Sequence, residues 1–339
     1  MNRNMKSWLN ELMKSDVRKA LPVMTYPGLE LIGMQVMDII TDGSKQGQCI
    51  QALSTRFDTL AAVTTMDLSV EAEAFGSEVR FTEGEVPTVI GKIITDPDSA
   101  KNLIVPAVGS GRTSVYLEGA RYASQEILDR PTLGGMIGPF SLAGRLMDMT
   151  EIMVAMSDEP ELVHLVLEKC NEFLISYAQA FKDAGANGLI IAEPAAGLMS
   201  PANCEEFSSQ YIKRIVDKVQ DDYFMVIVHN CGNTIKQVES LVGTGAFGLH
   251  FGNAVRMSDI LPQMPADRMA FGNIDPARTF RNGTLTEMRN QVNKLLQDMA
   301  PYPNFVLSSG CDIPPGTSIE MIDVFFDLLD RFNKSNQRG

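Results

Sequence analysis

Two short stretches carry the residue types with the most chemical reach. One is Val226-Ile227-Val228-His229-Asn230-Cys231-Gly232; the other is Ser308-Ser309-Gly310-Cys311-Asp312, near the C-terminus. Each follows an apolar run, Phe224 to Val228 and Phe305 to Leu307, that reads as a buried strand. Side chains two apart on a strand share a face. His229 and Cys231 therefore leave one strand end in the same direction, and Cys311 can join them from a neighbouring strand. One imidazole and two thiolates suit zinc, and three protein ligands leave a fourth position open to a substrate. A packing reading stands beside this one, since a buried cysteine is often only a small hydrophobe.

Other polar residues follow apolar runs in the same manner. They are Asp67, Glu193, His250 with Asn253, Asn273 with Asp275, and Asp312. Glu193 suits a catalytic position, either as a fourth ligand that substrate displaces or as an acceptor that orients His229. It could equally cap a turn or pair with a basic residue. Asp67, His250 and Asn273 are candidates to contact substrate. His250 alternates with Leu249 and Phe251, which fits cavity lining and a satisfied core histidine alike.

The elements that must position these residues alternate. Leu133 to Ile137, Gly188 to Ala192, Phe224 to Val228, Phe247 to Phe251, Met269 to Phe271 and Phe305 to Leu307 read as strands, with helical patterns between or after them. Such alternation indicates an α/β fold with a parallel sheet. A closed (β/α)8 TIM barrel is the preferred architecture, as one domain over 1–339; a doubly wound open sheet is the alternative. Ends of barrel strands are where catalytic groups gather. Residues 2–20 predict an N-terminal helical extension, Val23 to Tyr26 a first strand, and residues 29–61 further helix. Residues 77–94 predict an inserted β-hairpin, of the kind that covers sites or merely decorates an edge.

Composition narrows the function. The 339 residues are 45% hydrophobic and 21% charged, with a net charge of −13 and no dense basic run. That argues against non-specific nucleic-acid binding, which needs phosphate neutralisation. No apolar stretch reaches the ~20 residues of a membrane span, and no signal peptide is visible. Five widely spaced cysteines do not form a disulfide framework. A cytoplasmic, reduced protein is expected. Phosphate-loop, nucleophile-elbow and dinucleotide fingerprints do not stand at any strand–helix junction.

The chain resembles the uroporphyrinogen decarboxylase superfamily, and within it the zinc-dependent methylcobamide methyltransferases. Three stretches carry the superfamily likeness: Ala61-Ala62-Val63-Thr64-Thr65-Met66-Asp67 with Glu73-Ala74-Phe75-Gly76, then Gly138-Pro139-Phe140-Ser141-Leu142-Ala143, and Gly272-Asn273-Ile274-Asp275-Pro276. His229-x-Cys231 with Cys311 matches the methyltransferase branch, where these residues bind zinc. Decarboxylases carry an arginine-rich M-R-Q-A-G-R segment that holds substrate carboxylates. Here that region reads Met24-Thr25-Tyr26-Pro27-Gly28, and Gly310-Cys311 stands where decarboxylases have a glycine-flanked histidine. Asp67 matches the decarboxylase aspartate that holds pyrrole nitrogens.

The resemblance implies methyl transfer between cobalamin, carried on a separate corrinoid protein, and a small thiol or methoxylated substrate. A non-catalytic zinc- or ligand-binding barrel is the alternative, and a decarboxylase is a weaker one.

Overall fold

The computed structural model describes residues 3–336. The start of the helix expected from residue 2, and both ends of the domain expected over 1–339, lie outside the described residues. Seven parallel strands form one sheet: β1 (Ala62–Val63), β4 (Thr132–Ile137), β5 (Gly188–Ala192), β6 (Met225–Asn230), β7 (Gly248–Phe251), β8 (Met269–Ile274) and β9 (Phe305–Ser309). They pair in that order, each with the next. Strands β2 (Glu78–Arg80) and β3 (Thr88–Ile90) pair antiparallel with each other and stand apart from the sheet. Long helices such as Thr113–Glu126, Pro160–Asp183 and Leu285–Asp298 connect the parallel strands.

The apolar runs are near-continuous because both sheet faces are covered. Alternate residues separate into two cores. Leu133, Ile190, Met225, Ile227, Met269, Phe271 and Val306 pack together on the inner face of the curled sheet. Leu189, Ile191, Val226, Val228, Ala270 and Leu307 pack outward against the helices. Each fully buried aliphatic side chain stabilises the fold by about 1.5–3 kcal/mol relative to exposure. This two-residue alternation carries inward past the core. Met225 and Ile227 are followed by His229 and Cys231, and Val306 by Ser308.

The expected first strand, Val23 to Tyr26, is not formed. The chain approaches β9 slightly earlier instead: Ala20 makes an isolated parallel bridge to Leu307. Leu21 N–H donates to the Leu307 carbonyl, Leu307 N–H to that of Lys19, and Leu60 N–H to that of Ala20. Pro22 has no N–H to extend this ladder, and Val23 N–H turns to the Ser309 hydroxyl at 3.0 Å. Residues 19–23 therefore lie between β9 and the start of β1, with Leu21 and Val23 in the inner core.

The helix expected over 2–20 runs only from Met5 to Lys14, with Asn4 as its N-cap. The stretch 29–61 breaks into Gly28–Ile32, Val36–Thr41 and Gly43–Arg56. Gly33 adopts a left-handed φ of 65° that ends the first, and the Asp42 carboxylate caps the third by accepting from Lys45 N–H. No helix among the described residues is long and apolar enough to cross a membrane.

Candidate metal centre and substrate cleft

The sheet delivers its ligands from two strands. His229 is the penultimate residue of β6, Cys231 follows its end, and Cys311 lies two residues beyond β9. The side-chain ligand atoms of these three residues all fall within 4.8 Å of one another. Glycines let the backbones close in. A Cβ on Gly252 would lie 2.4 Å from the Cys231 Cα, and one on Gly232 would lie 2.6 Å from the Gly197 Cα.

Hydrogen bonds fix which imidazole nitrogen faces the cysteines. The Ser308 hydroxyl donates to the Leu21 carbonyl at 2.6 Å, so it must accept from His250 Nε2–H at 2.8 Å. His250 Nδ1 is then a lone pair, and it accepts from His229 Nδ1–H at 2.7 Å. His250 is kept neutral, its pKa held well below the usual range by burial first and by the neighbouring His229 second. The outcome is a lone pair on His229 Nε2, which is buried without a hydrogen-bond partner. An orphaned imidazole nitrogen beside two thiols is what a metal ligand looks like before the metal is counted.

The thiols are tuned to match. Cys231 is drawn below the ordinary thiol range, first of all by the hydrogen bond from Cys311. Cys311 is pushed up by the same contact and by burial. The pair thus retains a proton that a cation would displace. This donor set, geometry and orphaned nitrogen fit zinc.

The other expected site residues occupy different surroundings. Glu193 is fully buried, and its carboxylate accepts from Phe140 N–H at 2.9 Å and Ser141 N–H at 2.6 Å. Those donors open the helix Pro139–Met147, whose dipole favours a negative charge there. Burial nevertheless pushes Glu193 up to about 7, against the lowering effect of those hydrogen bonds. Its carboxylate is outside the three-residue ligand cluster, and it meets the next strand through its backbone, the N–H donating to the His229 carbonyl and the carbonyl accepting from Asn230.

His250 has both ring nitrogens bonded inside the protein and is 1% exposed. It holds His229 rather than facing the cleft. Asn273 donates to the Gly252 and Val255 carbonyls, tying down the loop after β7.

Asp67 is enclosed by partners. Its carboxylate accepts from Arg112 at 2.6 Å, Tyr116 at 2.8 Å and the Ser69 hydroxyl at 2.6 Å. Arg112 also reaches Glu73 at 2.7 Å and the Ser69 hydroxyl at 2.8 Å. Sequence reasoning missed Arg112, Tyr116 and Ser308, whose residue types carry no signal of their own. Cys49, Cys170 and Cys204 are buried and stand outside the cluster.

A two-lobed cleft opens beside the cysteines. One lobe, of about 490 Å³, includes Cys231 and Gly232 in its lining; the other, of about 280 Å³, includes Cys311 and Asp312. Val89 of the β2–β3 hairpin lines both, so the hairpin frames the site.

If the relay from Leu21 through Ser308 and His250 sets the His229 tautomer, Ser308→Ala is expected to weaken the binding of added zinc by about 10–100-fold, the usual cost of losing such a support. Competition against a coloured chelator measures it. Affinity equal to wild type would show that the His229 orientation does not depend on the relay.

A curled parallel α/β sheet with a His/Cys/Cys cluster at one end of its strands defines a barrel-type enzyme scaffold with a metal-binding potential. The match of residues 18–332 to the uroporphyrinogen decarboxylase (URO-D) model shows that the chain belongs to that family. Its relatives include the methylcobamide:CoM methyltransferase MtbA of Methanosarcina acetivorans, 27% identical over 85% of each chain. They also include the uroporphyrinogen decarboxylase of Desulfotalea psychrophila, 27% identical over 83% of this chain and 84% of that one. Both are enzymes. A solved methyltransferase from Methanosarcina mazei superposes with a TM-score of 0.86 over 97% of this chain and 98% of the other, at 23% identity, a likeness of fold.

Proposed function

We propose that this chain is a zinc-dependent methyltransferase, a single (β/α)8 barrel domain working in the cytoplasm. It moves a methyl group between a corrinoid carried by a partner protein and a small thiol or methoxylated substrate. In this reading residues 19–23 complete the barrel as its eighth position, and the helix Met5–Lys14 and the β2–β3 hairpin are the extension and the insert.

The observation that carries the proposal is the His229–Cys231–Cys311 cluster at the wall of an open cleft. Overall identity does not choose between the two activities in the family, since relatives of both kinds stand at 27%. The site does. A decarboxylase needs cations for several substrate carboxylates, and Met24 to Gly28 supplies none. Asp67 spends its carboxylate on Arg112, Tyr116 and Ser69.

Zinc at this site would hold a substrate thiol as its thiolate or polarise the oxygen of a methoxy donor. The chain's own part is to keep the site ready for it. The relay holds His229 with its Nε2 lone pair presented, and the two cysteines supply negative charge. Mostly apolar walls keep water from the reacting atoms, and the hairpin leaves the cleft open for a corrinoid to approach within contact distance, about 3–3.5 Å. Glu193 supports this arrangement by fixing the helix Pro139–Met147, a wall of the same cleft.

The test is incubation of zinc-loaded protein with methylcobalamin, then with methylated corrinoid protein, across a panel of thiols, and of the reduced corrinoid with methoxylated donors. Loss of the methylcobalamin spectrum with one thiol class is the expected result. If no methyl group moves in either direction with zinc in place, the chain is a zinc-binding barrel without turnover.

A further inference from the structure

Two polar groups on the lobe beside Cys311 are left unused by the protein. Tyr26 is 1% exposed and lines this lobe, and its hydroxyl has no hydrogen-bond partner. Asp312 lines the lobe too, and its Oδ1 is buried and equally unpartnered. The two are near enough that Asp312 is the charge acting most strongly on Tyr26, yet no hydrogen bond joins them. The Ile313 N–H beside the Asp312 carboxyl already donates to the Val23 carbonyl at 2.9 Å.

Other buried tyrosine hydroxyls in this protein are bonded. Tyr116 donates to Asp67 at 2.8 Å, Tyr177 donates to the Thr113 carbonyl at 3.5 Å, and Tyr211 meets His164 at 2.8 Å. Ser69, on the same lobe as Tyr26, has its hydroxyl held by Asp67 and Arg112. Burying a hydroxyl or a carboxyl oxygen without a partner is costly. The cost is recovered when a ligand brings the missing partner. Arg145, the other charged residue on this lining, makes no ion pair with Asp312. With one acid and one base on the wall, a charged ligand meets a like charge as well as an opposite one.

We propose that Tyr26 and Asp312 recognise a hydroxyl group on the substrate, which is therefore a neutral hydroxylated compound. A hydroxyl oxygen accepts from the Tyr26 O–H and donates to Asp312 Oδ1 at the same time, so one group satisfies both orphans. Asp312 directly follows Cys311, which places that hydroxyl a few bonds from whatever atom the metal holds. This spacing, and the reading of that atom as a thiol sulfur or an ether oxygen, rest on the methyl-transfer reading; the hydroxyl ledge does not. Leu68, Val86, Pro87 and Val89 give the rest of the lobe an apolar wall for the carbon skeleton.

The experiment is calorimetry of the zinc-loaded protein with two pairs of compounds that differ by one hydroxyl: 2-mercaptoethanol against ethanethiol, and 2-methoxyphenol against methoxybenzene. Wild type is expected to bind the hydroxylated member of at least one pair about tenfold or more tighter, because its analogue leaves both groups unbonded. The pair that shows the advantage tells a thiol from an ether. Tyr26→Phe and Asp312→Leu are each expected to cut it to about threefold or less. Thermal unfolding gives a second readout. The Tyr26 hydroxyl bonds nothing in the free protein, so Tyr26→Phe is expected to unfold at or above the wild-type temperature. Equal binding within both pairs in wild type, an advantage that survives in Tyr26→Phe, or a Tyr26→Phe variant less stable than wild type overturns the proposal. If Asp312→Leu loses its zinc or its fold, the Tyr26 variant decides alone. A hydroxyl advantage lost in Tyr26→Phe, without methyl transfer, would leave the ledge standing and remove the methyltransferase reading. Methyl transfer that treats both members of each pair alike would do the reverse.

Discussion

Cys231→Ala and Cys311→Ala are each expected to reduce bound zinc from about one per chain to a trace, and methyl transfer to background. Either change removes one of three protein donors and leaves the other two unable to complete a tetrahedral site. Loss of one hydrogen bond that orients a ligand costs about 10–100-fold in metal affinity, so loss of a ligand should cost more. Elemental analysis after exhaustive dialysis measures the metal directly. Glu193→Gln supplies the contrast. Its carboxylate is occupied by Phe140 and Ser141 N–H groups, so the variant is expected to keep its zinc and lose about 1–3 kcal/mol of stability, because an amide can accept only one of those donors well. Stoichiometric zinc in the Cys231→Ala/Cys311→Ala double variant would defeat the ligand assignment. Loss of zinc in Glu193→Gln would restore Glu193 as a ligand.

Asp67→Ala is expected to destabilise the fold by about 3–5 kcal/mol, the cost of stripping a buried ion pair of one partner. Arg112 is 8% exposed and would keep only Glu73 and Ser69, while Tyr116 would lose its acceptor. Removing the cation as well, in Asp67→Ala/Arg112→Met, should recover part of the loss, since a charge left alone is worse than no charge. Urea unfolding monitored by circular dichroism gives both numbers. If Asp67 instead contacts substrate as its main task, Asp67→Ala will change stability by under about 1 kcal/mol while the KM rises. That outcome would remove the structural reading.

The candidate site was legible where residue type alone carries information. Histidine and cysteine are scarce in this chain, and the strand ends that hold them are marked by apolar runs that stop at polar residues. Two-residue alternation then puts His229 and Cys231 on one face without knowledge of any neighbour. Ser308 was not legible, because a serine after a strand is ordinary. Its significance lies in what it touches from elements far away in sequence. Glu193 illustrates a middle case: its place at the end of β5 was readable, but its partners belong to a helix some fifty residues earlier. The alternation of strands and helices gave the sheet, whereas residues 19–23 hid their place beside β9 because Pro22 interrupts the hydrogen-bond pattern. The helical stretch from 29 to 61 looked continuous by periodicity, and its breaks depend on the backbone at Gly33 and the cap at Asp42.

The relay behind His229 has a consequence for biosynthesis. Its last acceptor, the Leu21 carbonyl, comes from the first tenth of the chain, while Ser308 and Cys311 come from the last. A nascent polypeptide halted before β9 holds His229 and Cys231 but neither the third donor nor the hydroxyl that sets the imidazole tautomer. If the site takes a metal, capture is therefore a late event, open only to a chain in which β9 has joined the segment around Leu21. Zinc at this site would then report that these distant segments have met, and would be withheld from products cut short before β9.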